Sequence, residues 1–303
     1  MSEEQTPQYA PITEPGVYDI DETRYHADPA LSSSGARTLL ATCPAKFRWQ
    51  MTNPSPPNTN FDFGHVAHKL VLGRGGIVKV IGAKDFRTKI AQTERDQAYA
   101  DNKIPILIAD FERAQWMEDA IRKHPYAGDL FKNGSGEQSL FWRDAESGVM
   151  CRARPDWLPA PGSAIFADYK TCASADPDFL QRQIANFGYH RQAAWYMDGI
   201  QMLKLCDNPR FLFVFQEKDP PHLITVIELT LEDIDRAAVE NRKARAVFAN
   251  CQAKNDWPGY TDDKVLSLGL PYWARSRHDD NAIMGVYEIS QLLHAPLSGA
   301  AAE

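Results

Sequence analysis

Hydrophobic positions along the chain follow two periods. In Leu31–Leu40 a helical spacing puts Ala36, Leu39 and Leu40 on one face, behind Ser32, Ser33 and Ser34, which suit a helix start. The stretch from Phe61 to Gly73 repeats that spacing and stops at a glycine, as helices often do. Residues 85–100 and 109–124 are amphipathic and charged, and between them Ile104–Ile108 reads as a strand. Period two then takes over: Glu137–Trp142 alternates, Glu146-Ser147-Gly148 turns, and Val149–Pro155 pairs back. Pro159–Gly162 punctuates the chain again and Ala164–Tyr169 is β-prone, so 149–155 and 164–169 read as a β-hairpin. Asp176-Pro177-Asp178 opens one long helix from Phe179 to about Leu205. Arg210–Gln216 is a nearly continuous apolar strand, hence buried on both faces, and His222–Glu228 is its neighbour. Thr230 caps a last long helix reaching about Ala253.

This order predicts an α/β protein with a mixed central sheet flanked by helices and an N-terminal helical region. Residues 1–20 hold three prolines, four acidic residues and no apolar period, the pattern of a flexible tail. One large domain over 21–255 and a C-terminal extension over 256–303 complete the expected organisation. With 303 residues, 44% of them apolar, the chain can bury a sizeable core. A net charge of −7 excludes a uniformly basic nucleic-acid binder, so any contact with DNA must be local or built by assembly. No apolar stretch is long enough to span a membrane and no basic-then-apolar leader opens the chain, which predicts a cytoplasmic protein with no membrane partner. Five scattered cysteines without a C-x-x-C pair predict free thiols rather than a zinc site or a disulfide framework.

The chemistry concentrates at Asp156, Asp168 and Lys170. In a period-two strand Asp168 and Lys170 share a face and Tyr169 turns away. Asp156 closes the preceding strand, so two carboxylates and an ammonium can converge. One reading is a turn aspartate beside an exposed salt bridge; the other is a partly buried pair of carboxylates whose repulsion calls for a raised pKa or a hard divalent cation. Glu137, entering its strand, is either an edge charge or a further ligand. His65 and His68 lie three apart and share a helix face, but no third soft ligand is near in sequence to make a zinc site. Gln192 and Tyr196 share a face with Tyr189, either as packing against the sheet or as polar groups turned toward the carboxylates. Arg236, Arg242, Lys243 and Arg245 form the densest basic segment.

Pro155-Asp156, eleven intervening residues and Asp168-Tyr169-Lys170 resemble the PD-(D/E)xK nuclease signature. The serine-rich helix start followed by Cys43-Pro44, the Gly64…His68 spacing, Glu137 and Gln192…Tyr196 complete, in order, a pattern similar to the phage and prophage exonuclease VIII (RecE)-like nucleases of that superfamily. The resemblance covers about residues 25 to 250, and it departs where Asp168 stands in place of the commoner Glu. It implies a metal-dependent exonuclease degrading linear double-stranded DNA 5′ to 3′ in the bacterial host cytoplasm. It also implies a RecT-type single-strand annealing protein as partner and a ring-shaped homo-oligomer. By the same resemblance, Asp156, Asp168 and the Tyr169 carbonyl, with His68 and Glu137, hold Mg2+, or Mn2+ in its place. Lys170 polarises the attacking water, and Gln192 and Tyr196 orient substrate and carboxylates. Phosphate contacts are expected from Arg152, Arg154, Arg182, Arg191 and the basic C-terminal helix. A structure-specific or restriction-type endonuclease, and a non-catalytic DNA-binding or assembly protein, are the other classes such a core serves.

Overall fold

A computed structural model describes residues 9–53, 62–261 and 264–285. The chain forms two units, Met1–Gly259 and Tyr260–Glu303. The expected α/β architecture, a mixed sheet flanked by helices, is that of the first unit.

The N-terminal part holds β1 (Gly16–Tyr18), α1 (Glu22–Ala27), β2 (Leu31–Ser32), α2 (Ser33–Ala41), α3 (Pro44–Thr52) and α4 (Asp62–Leu72). Ser32 caps α2, accepting from the Gly35 amide, while Ala36 and Leu39 are buried, as their spacing requires. Gly73 ends α4 at φ +71°. Pro54 to Phe61, which include the expected start of α4, lie outside the described residues, as do residues 1–8 of the expected tail. Next come β3 (Ile77–Ile81), α5 (Lys89–Ala100), β4 (Lys103–Leu107), α6 (Ile108–Lys123) and α7 (Ala127–Leu130), with β3 and β4 forming a small parallel pair.

The predicted core sheet is in fact two sheets joined by one bent hairpin. Its arms are β5 (Gly134–Gly136) with β6 (Ser139–Arg143), and β7 (Met150–Ala153) with β8 (Trp157–Pro159). β6 and β7 belong to a four-stranded sheet of order β1-β6-β7-β2. β5 and β8 join β9 (Ile165–Cys172), β10 (Arg210–Glu217) and β11 (Ile224–Glu228) in a five-stranded sheet of order β11-β10-β9-β8-β5. The expected pairing of 149–155 with 164–169 is therefore corrected to a contact between Trp157 and Ala167. Pro155 has no amide to continue the ladder, and Glu137, opposite the next residue Asp156, adopts φ +53°, so both arms bend at about the same level. Glu137 thus stands at the bend rather than inside a strand. Gly134 allows the arms to close: a Cβ there would lie 2.3 Å from the Leu158 carbonyl oxygen.

The long helix expected from 179 to 205 is two helices, α8 (Pro177–Phe187) and α9 (Tyr189–Met202), separated by Gly188 at φ +66°. Asp176 caps α8 on the Phe179 amide with Pro177 in the first turn, as the sequence predicts. α10 (Leu231–Lys254) carries the expected Thr230 cap. β9 and β10 run parallel, with Asp168 opposite Phe213. One face of the five-stranded sheet, with Phe166, Phe211, Phe213 and Phe215, packs on a core shared with α2, α9 and α10; Ala167, Tyr169 and Val214 on the other face meet Val66, Ala67, Met117 and Ile121 of α4 and α6. A strand buried on both faces reads as a continuous apolar run, and β10 is such a strand until Gln216. In the second unit, α11 (Tyr272–Ile283) has no buried residue among those described. The Ala-rich end of the chain lies outside the described residues.

Candidate active site

β9 delivers the central residues. Its pleat turns Asp168 and Lys170 to the α9 side and Tyr169 to the α4–α6 side. Asp168 is 1% exposed and forms an ion pair with the Lys170 ammonium. On its other oxygen it accepts from Gln192 Nε2 of α9 at 3.0 Å. Tyr196, one turn further along α9, shares a hydrogen bond with Gln192, and burial holds its phenol well above the usual range. The α9 ring one turn before Gln192, Tyr189, lies 5.7 Å from the Lys170 ammonium. The polar face of α9 is thus turned to the carboxylates.

Asp156 enters from the bend of the hairpin. Its Oδ2 accepts the Tyr169 amide at 2.7 Å and lies 3.6 Å from His68 Nδ1 of α4. The His68 ring also hydrogen-bonds the Tyr169 backbone and packs 5.0 Å from its phenol ring. His68, not the exposed His65, is the imidazole brought to this place. The Glu137 amide donates to the Asp156 carbonyl at 3.0 Å, so the bend ties the two acidic residues together through backbone.

Electrostatically the centre is under tension. Burial pushes the Asp156 carboxyl up to about 6, although Lys170 pulls the other way. Asp168 is pushed up to about 6 by burial and then by the Asp156 charge. Burial also raises Glu137. Burial and the Lys170 charge lower His68 to about 4, which keeps the ring neutral near neutral pH. Lys170 is raised by the two aspartates against the opposing effect of burial, so it stays an ammonium.

Two buried carboxylates that repel each other suit a hard divalent cation, which takes oxygen donors and keeps water on its remaining positions. The predicted ligand set is only partly assembled: among the described residues no three His, Cys, Asp or Glu side chains gather to hold a metal ion. His68 is turned to the Tyr169 backbone, and Glu137 lies at the bend in the field of Arg154 and Arg74. The donors that fit are Asp156, Asp168 and the Tyr169 carbonyl, with His68 and Glu137 beside them.

Most of the arginines expected at phosphate are engaged elsewhere. Arg152 is 9% exposed and donates to the Tyr25 and His26 carbonyls, its guanidinium 4.8 Å from the Tyr25 ring. Arg154 holds Ser139 Oγ and the Ile20 carbonyl. Arg191 pairs with Glu240 at 3.0 Å and Arg236 with Glu232 and Asp233. Arg245 is buried between Asp144 and Asp198. Arg182, Arg242 and Lys243 remain exposed.

One buried residue behind the site had no signal except position. Gln216 is fully buried, accepts from the Tyr169 hydroxyl at 2.6 Å and donates to the Met117 carbonyl of α6 at 2.9 Å. It braces β9 from behind, and the only hint of it in the sequence is a lone amide ending an apolar strand.

The sequence pattern of a PDDEXK-like domain of unknown function (DUF3799) matches residues 32–264. The crystal structure of a "putative exonuclease" from Eubacterium rectale is similar in fold, with a TM-score of 0.57 at 13% identity over 86% of this chain and 98% of that one. An alkaline exonuclease from Laribacter hongkongensis aligns at 14% identity over 65% of this chain and 96% of that one, with a TM-score of 0.27. No curated protein matches the sequence. No helix among the described residues is long and apolar enough to cross a membrane.

Proposed function

We propose, for a chain that belongs to the PDDEXK-like family of unknown function (DUF3799), that it is a divalent-metal-dependent deoxyribonuclease, and within that class an exonuclease on linear double-stranded DNA. The observation that carries this reading is the pair of largely buried carboxylates, Asp156 at the hairpin bend and Asp168 on the neighbouring strand β9, with the Lys170 ammonium on Asp168. The finer reading is 5′ to 3′ digestion in the bacterial cytoplasm, feeding a RecT-type annealing protein, by a homo-oligomer. It rests on the ordered resemblance to exonuclease VIII-type nucleases. The catalytic domain in this reading is 21–255, with 1–20 a tail and 256–303 an extension.

Asp156, Asp168 and the Tyr169 carbonyl would hold the cation, Mg2+ or Mn2+. When bound, such a cation supplies Lewis acidity to the phosphoryl oxygens and acidifies water. The protein's own part is positioning. The Tyr169 amide fixes Asp156, and Gln192 fixes Asp168, so neither carboxylate has to reorganise when substrate arrives. Lys170, kept charged by the aspartates and held beside the Tyr189 ring, orients the attacking water and stabilises charge growing on the phosphate. As an ammonium it is not the base. His68, neutral and turned to the Tyr169 backbone, holds the middle of β9 in place.

The test is a time course on linear and covalently closed duplexes with Mg2+, together with sedimentation. An oligomer that releases short products from linear DNA and spares closed circles is the expected result. Equal rates on both substrates from a monomer would make it an endonuclease, and binding without any cleavage would make it an assembly protein.

A further inference from the structure

The elbow between α8 and α9 carries an aromatic ring that the chemistry above does not use. Phe187, the last residue of α8, is 53% exposed. Its ring lies 5.8 Å from that of Tyr189 at an interplanar angle of 37°, and Tyr189 in turn lies over Lys170. One cation–ring contact and one ring-to-ring contact therefore lead from the ammonium to an open aromatic face. Phe187 stays out while its neighbour Tyr189 packs on Phe213 and Phe215.

Cations line the same elbow. Arg37 of α2 reaches across to donate to the Phe187 carbonyl, with its Cδ 3.0 Å from where a Cβ on Gly188 would lie. Among the described residues Arg37 has no carboxylate partner, and its buried Nε has no hydrogen-bond partner. Arg191 on α9 is paired with Glu240, while Arg182 is exposed on α8. A base can stack on a ring whatever its identity, and a guanidinium without a carboxylate can turn its remaining Nη donor to the phosphate that accompanies it.

We propose that the α8–α9 elbow is a single-strand subsite, in which Phe187 stacks a nucleobase of an unpaired DNA end while Arg37 contacts the adjoining phosphate. This deepens the nuclease reading and rests on it only for the claim that the strand continues to Lys170. The subsite binds a strand through base face and backbone, so it takes splayed or overhanging ends of any sequence, and a closed duplex offers it nothing to stack.

Binding measured by fluorescence anisotropy in EDTA, with a fluorescent duplex carrying a single-stranded overhang and a blunt duplex as control, separates the two claims. Phe187→Ala should weaken overhang binding about five- to a hundredfold, the range for losing one base stack. It should change blunt-duplex binding little, and Phe187→Trp should restore the overhang preference. Arg37→Ala should lower the salt slope of overhang binding by about one phosphate contact. Circular dichroism checks that the exposed substitution leaves the fold in place. Overhang affinity unchanged in Phe187→Ala, or no overhang preference in the wild type, overturns the subsite even if the enzyme cuts DNA. A smaller sedimenting species in Phe187→Ala with normal DNA binding also overturns it, since the ring would then be a contact between subunits. A protein that prefers overhangs through Phe187 but cleaves nothing with Mg2+ keeps the subsite and loses the nuclease.

Discussion

Two buried clusters in this protein contain the same charges, two aspartates and one cation, and they are built to opposite ends. In the first, Arg245 of α10 reaches both acids: Nε lies 3.0 Å from Asp144, Nη1 bonds Asp198, and the guanidinium lies 5.4 Å from the Trp195 ring. Asp144 also accepts the Ser147 amide and hydroxyl at the turn between β6 and β7. The planar fork matches two carboxylates at once and closes the cluster. In the second, Lys170 is a point charge and among the described residues pairs with Asp168 alone. Asp156 is left with an amide, a neutral imidazole and the repulsion of its neighbour. A fork joins helix to turn, whereas a point charge on Asp168 leaves Asp156 without a cation partner. The reaction centre is therefore the less satisfied of the two clusters.

Replacing the carboxylates tests this contrast most severely. Asp156→Ala or Asp168→Ala should lower cleavage by at least about a hundredfold, the scale for one preorganised electrostatic group. Asp156→Ala should leave the metal-free melting temperature equal or higher near neutral pH, because a repulsion is removed, whereas Asp168→Ala also strands the Lys170 ammonium and should lower it. Wild-type cleavage in either variant would dismantle the site.

Arg245→Ala should do the reverse. Removing the cation strands the buried Asp144 carboxylate and the one-third-exposed Asp198, at a cost nearer the lower end of about 3–5 kcal/mol in denaturant unfolding, while cleavage per folded molecule stays near wild type. A stable but inactive variant would mean that Arg245 belongs to the reaction.

The pH dependence of stability follows from the raised carboxyls. Asp156 and Asp168, shifted from 3.8 to about 6, favour the folded state when protonated. Their stabilising contribution is complete below about pH 4 and is lost as pH rises through about 6. His68, lowered to about 4, adds stability over the same window and offsets about one of the two acids, so the metal-free protein should show a net loss of melting temperature there, which Mg2+ should restore above pH 6 but not below pH 4. A profile that is the same with and without Mg2+ would argue against these two acids as its ligands.

The smallest effect is expected behind the sheet. Tyr169→Phe leaves Gln216 Oε1 buried without its donor, at a cost of about 1–3 kcal/mol. If the brace sets the position of β9, the rate should fall severalfold with KM for DNA unchanged, and a change confined to KM would point instead to a contact with substrate.

Local order in this chain was readable because its causes are local. The Ser32, Asp176 and Thr230 caps, the glycine end of α4 and the shared face of Asp168 and Lys170 follow from side-chain length and a two-residue pleat. The common face of Gln192 and Tyr196 follows in the same way from a 3.6-residue turn. The same periodicity could not say where a strand goes. The bend at Glu137 and Pro155 sends the two halves of one hairpin into different sheets, a matter of which distant strands offer unpaired edges. Gly188 inside a helical pattern is tolerated in many helices, and here it takes a left-handed turn beside Arg37, which lies far off in sequence. Burial decided the charges: Arg245 and Arg242 look alike in a basic segment, yet one is closed between two aspartates and the other faces water. It decided the imidazole as well, since His68 and His65 share a helix face but only His68 is carried to Asp156. Sequence by itself determined which groups were available and which of them were neighbours on one element. Tertiary structure alone decided which were desolvated together, because desolvation and ion pairing depend on every element that packs around a charge and not on the element that carries it.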